Sequence, residues 1–474
     1  MRVVILSSEA LPFAKTGGLA DVSGSLTKAL HKQSVDSLLI LPLYDQVDRD
    51  LISGTYVEDL EVTWRGRKPQ VPVRISDALG APTYFIEAPH YFSRKNIYGD
   101  SDDFERFAFF CRAAIALLQR IGDKPDIVHL NDWPCGFASV ELRARRRHEP
   151  FFKDTRVLFS IHNLAYQGQF DPENLWWMDF AAYRDAFMLG SAASALKAGI
   201  VAADALSTVS PTYAREIQTT EQGYGLEWLM RARSDRLAGI TNGVDYEVWD
   251  PETDPHVAKN FSADDVSGKR ECKLDLLRRF RLPEEPDRPI IAIISRLVGQ
   301  KGYDLIRQAA GGIVDSGAVF IALGAGAREY EDFLQSWHDA APHRVGIYKG
   351  YAGEPLAHQI EAGADMFLMP SLYEPCGLNQ MYSMRYGTVP VVRATGGLDD
   401  TVQNFDENSG SGNGFKFGAY AASAMLEKIR EALYFYNQPE VWKRIQMNGM
   451  TTDNSWSAAA RKYIQLYNEM PGPQ

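Results

Sequence analysis

At 474 residues the chain exceeds the size at which a single hydrophobic core stops growing, and this length predicts two domains. Hydrophobic residues make up 45% and charged residues 23%, as in soluble globular proteins, and no apolar run approaches the ~20 residues that span a bilayer. The net charge of −11 disfavours nucleic acid and anionic membranes as partners.

Short apolar runs alternate with longer amphipathic stretches along the chain, which is the pattern of βαβ units with parallel sheets. The first run leads directly into Ser7, so it predicts a buried strand and no signal peptide. The fold class predicted from the alternation is α/β. The predicted strands are residues 3–6, 38–41, 127–130, 157–161, 205–209, 290–294, 318–323, 345–348, 366–369 and 389–392.

Polar and glycine-rich segments follow these strands in both halves of the chain. In open α/β sheets, ligands bind beyond the carboxyl ends of the strands. Both halves are therefore expected to carry ligand-binding loops at that edge, and two such edges facing each other would form one interdomain cleft. The segments are residues 15–18, 131–133, 162–163, 295–301, 370–377 and 395–397.

The first of these segments is Lys15-Thr16-Gly17-Gly18. Paired glycines allow backbone amides to approach a ligand closely, and the helix that follows presents its N-terminus to phosphate. Lys15 adds a positive point charge. The alternative is an ordinary glycine-rich turn between a strand and a helix.

Glu374 begins a second segment, which continues through Pro375, Cys376, Gly377 and Leu378 into a predicted helix. Proline suits the first helical turn, and the amides after it are free to hold an anion or a sugar hydroxyl. Glu374 would accept hydrogen bonds from sugar hydroxyls or balance developing positive charge. The alternative is a carboxylate that interacts only with the helix dipole.

Three further groups of side chains suit sugar-phosphate chemistry. Arg296 and Lys301 would stabilise the leaving charge of a diphosphate, although a solvated basic loop gives the same pattern. His162 would donate to a sugar hydroxyl or be a satisfied core histidine. Asp132 and Trp133 would be a sugar-facing carboxylate beside an aromatic platform, or a capping residue beside a buried ring.

Metal and cofactor signals are weak. The four cysteines include no CxxC pair, which argues against zinc and disulfides and favours a reducing cytoplasm. Asp48 and Asp50 have the DxD spacing of a metal–nucleotide site but lie in a charged stretch that we interpret as solvated surface. Gly324 and Gly326 give two of the three glycines of an NAD fingerprint, and Glu329 replaces the third. We expect no cofactor and no metal.

Taken together, these segments resemble bacterial glycogen synthases and plant starch synthases. The matching stretches include "SSEALPFAKTGGLADV", "FSIHNLAYQGQF", "GITNGVDYEVWDP", "SRLVGQKGYDLI" and "PSLYEPCGLNQMYSMRYGTVPVVRATGGLDDTV". The resemblance runs in the same order from residue 3 to about residue 467, nearly the whole chain. One departure is Pro134, where many relatives carry a polar residue, often histidine.

The resemblance implies the GT-B arrangement, in which two Rossmann-like, doubly wound domains face each other across a deep interdomain cleft. It implies an N-terminal acceptor-side domain (1–245), a C-terminal donor-side domain (246–455) and a last helix that crosses back to the first domain (456–474). The implied enzyme is a hexosyltransferase of glycogen biosynthesis. It would move glucose from ADP-glucose to the non-reducing end of an α-1,4-glucan with retention, in the cytoplasm and without a metal.

The resemblance also assigns residues. In the first half, the diphosphate and nearby sugar would be bracketed by Lys15, Thr16, Gly17 and Gly18. The glucosyl or acceptor site would include Asp21 and Asn242. The transfer centre would be lined by Tyr98, Asp132 and His162. In the second half, Arg296 and Lys301 would hold the diphosphate, Tyr351 would stack on the base, and the glucose and its surroundings would contact Glu374, Cys376, Gly377, Leu378, Thr395 and Gly396.

Three alternatives remain open at this point. A sucrose- or trehalose-type transferase would share the fold and use a small acceptor. A non-catalytic glucan-binding protein would not need Lys15, His162, Arg296, Lys301 and Glu374 together. An NAD-dependent dehydrogenase is supported only by the incomplete glycine pattern.

Overall fold

The computed structural model describes residues 1–350 and 353–473. The chain divides into two compact units, which we call the first unit (Met1–Gly243 with Trp456–Gln474) and the second unit (Val244–Ser455). Every strand predicted from the sequence is present, with ends that differ from the prediction by at most two residues.

The first unit is built on a mixed sheet of strand order β12-β11-β7-β6-β1-β2-β5-β4-β3, with a small separate sheet of order β8-β10-β9. β4 is antiparallel to β3 and β5, and the other neighbours in the large sheet are parallel. The strands are β1 (Arg2–Leu6), β2 (Asp36–Pro42), β3 (Gly54–Glu61), β4 (Gln70–Ser76), β5 (Thr83–Ile86), β6 (Ile127–Asn131), β7 (Arg156–Ile161), β8 (Gln169–Phe170), β9 (Met188–Leu189), β10 (Ala192–Ser194), β11 (Ala205–Thr208) and β12 (Leu237–Gly239).

Helices connect the parallel strands of this sheet. They are α1 (Gly18–Lys32), α2 (Pro89–Phe92), α3 (Asp103–Ile121), α4 (Gly136–Arg145), α5 (Asn174–Trp177), α6 (Arg184–Phe187), α7 (Ala195–Ala202), α8 (Pro211–Glu216) and α9 (Glu227–Ala232).

The second unit has a parallel sheet of strand order β15-β14-β13-β16-β17-β18. Its strands are β13 (Ile290–Ile294), β14 (Val319–Gly324), β15 (Val345–Lys349), β16 (Met366–Met369), β17 (Val389–Arg393) and β18 (Phe415–Phe417). Its helices are α10 (Gly268–Arg279), α11 (Tyr303–Asp315), α12 (Arg328–Ala340), α13 (Glu354–Gly363), α14 (Asn379–Arg385), α15 (Gly396–Thr401), α16 (Ala422–Tyr436) and α17 (Pro439–Met450).

The central strands explain why both sheets are predictable. Residues 3–6 of β1 and all of β13 are continuous apolar runs, and they are buried or nearly so because helices cover both faces of a parallel sheet. β1 lies between β2 and β6, and β13 lies between β14 and β16. The segments that follow neighbouring parallel strands therefore leave each sheet side by side, at one edge.

The last helix, α18 (Trp456–Glu469), belongs to the first unit and packs against α1. Trp456, Tyr463 and Tyr467 are buried on its inner face. The Tyr467 hydroxyl lies 2.9 Å from Nδ1 of His129, which sits on β6. In the described ranges, no helix is long and apolar enough to cross a membrane.

Candidate active site

The glycine loop, residues 15–18, lies between β1 and α1 at the carboxyl edge of the first sheet. All four residues are exposed, and Gly17 precedes α1 without a side-chain cap. The first amides of the helix therefore have no capping side chain and can bind an anion. Lys15 forms an ion pair with Asp21, with Nζ 2.9 Å from Oδ1, which places these two predicted residues together.

Glu9 is the residue of this region that the sequence interpretation missed. Its side chain is buried, and its carboxylate accepts hydrogen bonds from the backbone amides of Thr16 (2.5 Å) and Gly17 (3.2 Å). The Thr16 hydroxyl also donates to it. No local pattern marks Glu9 for this role, because the loop amides that it binds lie seven and eight positions later in the chain.

Tyr98 is bound to the same carboxylate. Its hydroxyl donates to Glu9 Oε1 at 3.0 Å and lies 2.7 Å from the hydroxyl oxygen of Ser8. The Tyr98 ring centroid is 6.3 Å from that of Trp133. Burial raises the pKa of Tyr98 well above its ordinary value, so the phenol keeps its proton. The structure thus places Tyr98 beside the glycine loop, with its proton already engaged.

Asp132 follows β6 in a strained conformation. Its φ is 56° and its ψ is −177°, a region that side-chain-bearing residues rarely adopt and that is often found at functional sites. Its carboxylate accepts the backbone amide of His162 at 2.7 Å. Burial, with a smaller contribution from the charge of Glu9, raises the pKa of Asp132 to about 7, although the amides of His162 and Asn163 oppose the shift.

The tautomer of His162 follows from its neighbours. The Asn131 side-chain nitrogen donates to the Leu6 carbonyl oxygen at 3.0 Å, so the Asn131 amide oxygen faces His162 Nε2 at 2.9 Å. Because that oxygen can only accept, Nε2 carries the proton. Burial lowers the pKa of His162 to about 4, so the ring is neutral at pH 7. Its lone pair therefore lies on Nδ1, and the ring would accept from a sugar hydroxyl instead of donating to it.

In the second unit, the predicted site residues Lys301 and Glu374 form an ion pair. Lys301 Nζ lies 2.5 Å from Glu374 Oε2, and the Ser371 hydroxyl donates to the same oxygen at 3.0 Å. The Lys301 side chain is 18% exposed and that of Glu374 is 8% exposed, so the charges pair largely out of water. The two residues are 73 positions apart in sequence and come from loops after β13 and β16.

Arg296 lies shortly before Lys301 in sequence, and its side chain is exposed. Gln300 links it to the loop that carries Glu374. One Arg296 guanidinium nitrogen donates to the Gln300 side-chain oxygen at 3.3 Å. The Gln300 side-chain nitrogen donates to the Tyr373 carbonyl at 3.2 Å, and its own carbonyl accepts the Leu372 amide at 2.8 Å. The loops that carry Arg296 and Glu374 are therefore bound to each other.

Glycines allow two loops of the second unit to touch. Gly396 has φ 45°, and a Cβ there would lie 1.9 Å from the Glu374 carbonyl oxygen. Gly377 has φ 72° before α14 begins at Asn379. In the described ranges, nothing accepts a hydrogen bond from the backbone amides of Gly377 and Leu378. Thr395 and Cys376 are buried in the same contact region.

Three remaining positions have different outcomes. Asn242 is 8% exposed, and its buried side-chain oxygen has no hydrogen-bond partner in the described part of the chain. Tyr351 lies outside the described residues. Pro134 is buried in a short 3₁₀ turn, and its carbonyl accepts from the Cys111 thiol.

The competing motifs have structural explanations. Asp48 caps a short 3₁₀ helix by accepting the Asp50 amide at 3.0 Å, and both side chains are exposed. Gly324 and Gly326 let the loop after β14 approach the backbone of Ser295 and Leu297. Throughout residues 1–350 and 353–473, no group of three or more His, Cys, Asp or Glu is arranged to hold a metal ion.

Comparison with known proteins identifies both units. Residues 2–232 match the family described as "Starch synthase catalytic domain", and residues 277–446 match "Glycosyl transferases group 1". A glycogen synthase of Geobacillus thermodenitrificans is 43% identical over 475 residues, which cover 99% of this chain and 98% of the relative.

Two solved structures are also similar. The catalytic domain of starch synthase IV from Arabidopsis thaliana, bound to ADP and acarbose, matches with a TM-score of 0.91 and 33% identity over 99% of each chain. A sucrose-phosphate synthase from Thermosynechococcus elongatus matches over 99% of this chain and 98% of its own, with a TM-score of 0.61 and 19% identity, and shares the fold alone. Because the family matches and the full-length relatives agree, the chain belongs to the glycogen and starch synthase family of hexosyltransferases, with the two-domain GT-B fold.

Proposed function

We propose that the protein transfers glucose from ADP-glucose to the non-reducing end of an α-1,4-glucan, with retention of the anomeric configuration and without a metal ion. The observation that carries the proposal is the pair of Lys301 and Glu374, 2.5 Å apart at the carboxyl edge of the second sheet, in a chain of this family. The ADP bound to the Arabidopsis starch synthase supports adenine as the base of the donor.

The second unit is the proposed donor site. Arg296 and Lys301 supply positive charge to the diphosphate, and the amides of Gly377 and Leu378 hold hydroxyls of the glucose. Without substrate, Lys301 is neutralised by Glu374. A bound diphosphate would share the ammonium group, and Glu374 would then face the sugar, where positive character develops at the anomeric carbon.

Retention is proposed to occur by attack on the face that the diphosphate leaves. The bond between the anomeric carbon and the diphosphate oxygen breaks, and a bond to the acceptor hydroxyl oxygen forms. The departing oxygen takes the proton of that hydroxyl, so ADP is released with the proton. A covalent alternative needs a carboxylate placed as a nucleophile. Glu374 is instead held by Lys301 and Ser371, which favours an electrostatic role.

The first unit is the proposed acceptor side. Asp132 and the neutral ring of His162 lie together after β6 and β7 and offer hydrogen-bond acceptors to sugar hydroxyls. Lys15 and the N-terminus of α1 offer positive charge in the glycine loop. The proposed compartment is the cytoplasm, which suits four cysteines that are all buried as free thiols in the described chain.

Two competing functions are separated by one experiment. The protein is incubated with ADP-glucose or UDP-glucose, each with maltooligosaccharide, with fructose or glucose 6-phosphate, or with no acceptor, and the released nucleoside diphosphate is measured. We expect ADP release that depends on maltooligosaccharide. Release that requires a small acceptor would support a sucrose- or trehalose-type transferase. Glucan binding without any release would support a binding protein, and preference for UDP-glucose would contradict the proposed donor.

A further inference from the structure

Glu9 is a buried carboxylate that the proposed reaction does not use. Its side chain lies among the residues after β1, with the whole residue 3% exposed. Burial raises the pKa of Glu9, while hydrogen bonds from Thr16, Gly17 and Tyr98 oppose the shift. Moving a carboxylate out of water is costly unless donors replace the lost water. The hydrogen bonds that stabilise a buried carboxylate also fix the position of the groups that donate them.

The donors to Glu9 come mainly from the glycine loop. Oε2 accepts the Thr16 amide at 2.5 Å and the Gly17 amide at 3.2 Å, and the Thr16 hydroxyl lies 3.0 Å from the same oxygen. Oε1 accepts the Tyr98 hydroxyl at 3.0 Å. In the described parts of the chain, no lysine or arginine forms an ion pair with Glu9, so amides and hydroxyls alone stabilise its charge.

Backbone hydrogen bonds flank the glycine loop on both sides, and the Glu9 carboxylate binds the amides between them. The Ala14 amide donates to Ala10 at 2.9 Å, which closes the turn before the loop. After the loop, the Ala20 carbonyl accepts the Leu11 amide at 3.0 Å. Between these two bonds, the amides of Thr16 and Gly17 donate to Glu9 and not to the backbone.

Two functional groups flank this anchor. Lys15 precedes it, and the uncapped first turn of α1 follows it. Fixing two consecutive peptide groups sets the direction in which the chain leaves on both sides, because only two torsions per residue separate them from their neighbours. A loop rich in glycine would otherwise populate many conformations.

We propose that Glu9 is a positioning residue, whose carboxylate holds the glycine loop so that Lys15 and the first amides of α1 meet the substrate in one fixed geometry. Glu9 does not touch the reacting atoms. It acts through Thr16 and Gly17, and Tyr98 donates to the other oxygen of the same carboxylate. The inference rests on the proposed function, since it takes Lys15 and the helix N-terminus as substrate-binding groups.

The test uses a graded pair of substitutions in the full-length protein. Glu9→Gln keeps the shape and one acceptor oxygen but loses the charge, and Glu9→Met keeps the length and loses both acceptors. Misplaced binding groups commonly cost about 10²-fold in rate. We expect kcat/KM for ADP-glucose to fall about tenfold in Glu9→Gln and about 10²-fold in Glu9→Met, because charge-assisted hydrogen bonds are about twice as strong as neutral ones.

Two measurements separate positioning from general destabilisation. Glu141→Gln is the matched control, since Glu141 is a buried carboxylate of the same unit that binds Arg112 and Arg145 away from the loop. Glu141→Gln should lower the melting temperature but leave kcat/KM for ADP-glucose unchanged. In addition, Glu9→Gln combined with Lys15→Ala should lose less kcat/KM than the product of the two single losses, because part of the effect of Glu9 acts through Lys15 and residues that act as one unit are not additive.

Hydrogen exchange keeps the test independent of activity. The amides of Thr16 and Gly17 should exchange about tenfold faster in both Glu9 variants and at the wild-type rate in Glu141→Gln. Unchanged exchange, or losses of kcat/KM that add to those of Lys15→Ala, would overturn the inference. If the wild-type protein transferred no glucose, the proposed function would fail, while the exchange rates would still decide whether Glu9 anchors the loop.

Discussion

Asp132→Asn should stabilise the protein while it damages transfer. Folding raises the pKa of Asp132 from an ordinary 3.8 to about 7, mainly because the carboxyl is buried. The folded protein therefore holds this proton more tightly than the unfolded chain. The contribution to stability is complete below pH 4, and it is lost as pH rises through 7. Asparagine has nearly the same shape and no charge, so it avoids the loss.

The size of the effect follows from the two pKa values. A shift of about three pKa units at about 1.36 kcal/mol each gives an upper limit of about 4 kcal/mol at pH 8. At pH 5 the folded carboxyl is neutral and the unfolded one is mostly ionised, so the advantage of the variant falls to about 1.6 kcal/mol. The pH 8 limit corresponds to a rise in melting temperature on the order of 10 °C.

The assay is thermal unfolding at pH 5 and pH 8 for wild type, Asp132→Asn and Asp154→Asn. Asp154 is exposed in the same unit and serves as the control, with no expected change between the two pH values. Relative to wild type, Asp132→Asn should gain more stability at pH 8 than at pH 5. An equal gain at both values, or a less stable variant at pH 8, would refute the assignment of a buried, destabilised carboxylate at Asp132.

Four further predictions concern the proposed chemistry and the last helix. Glu374→Gln should lower kcat by orders of magnitude. ADP binding measured by calorimetry should stay the same or become tighter, because the substitution releases Lys301 from its ion pair. Near-normal turnover would contradict the proposed role of the carboxylate. Arg296→Ala and Lys301→Ala should each lower kcat by about 10²–10³-fold. In steady-state kinetics, the double variant should lose less than the product of both single losses. A higher KM for ADP-glucose at unchanged kcat would mean that the two residues only bind the donor and do not stabilise the leaving group. EDTA should leave the rate of glucan extension unchanged, and activity that falls with the chelator and returns with magnesium would contradict the proposed metal independence. Ending the chain before Trp456 should lower the melting temperature, because it removes buried side chains such as Tyr467; an unchanged melting temperature and rate would show that α18 is dispensable.

The sequence predicted β1 and β13 because residues 3–6 and 290–294 are continuous apolar runs in sheets covered on both faces. It missed β3, which carries its buried residues Val57 and Leu60 three positions apart. Shifts in the pairing with β4 interrupt the alternation that identifies an edge strand. The pattern for such a strand is therefore set by bulges, which the sequence alone does not display.

The sequence singled out residues for the candidate site but not the pairs that they form. The segments that carry Lys301 and Glu374 were identified separately, since each follows a strand. Their ion pair spans 73 positions and depends on β13 and β16 being neighbours, which no local pattern specifies. Glu9 was missed for a related reason, because its importance lies in hydrogen bonds to loop amides and not in its own sequence context.

Retaining extension of an α-1,4-glucan from ADP-glucose can be read from the structure of the product. The protein is incubated with ADP-glucose labelled with ¹³C in the glucose and with maltopentaose, and the product is analysed by mass spectrometry and NMR. We expect a ladder of products that grow by single labelled glucose units at the non-reducing end, each in an α-1,4 linkage. A β linkage, or labelled glucose released to water without extension, would contradict it.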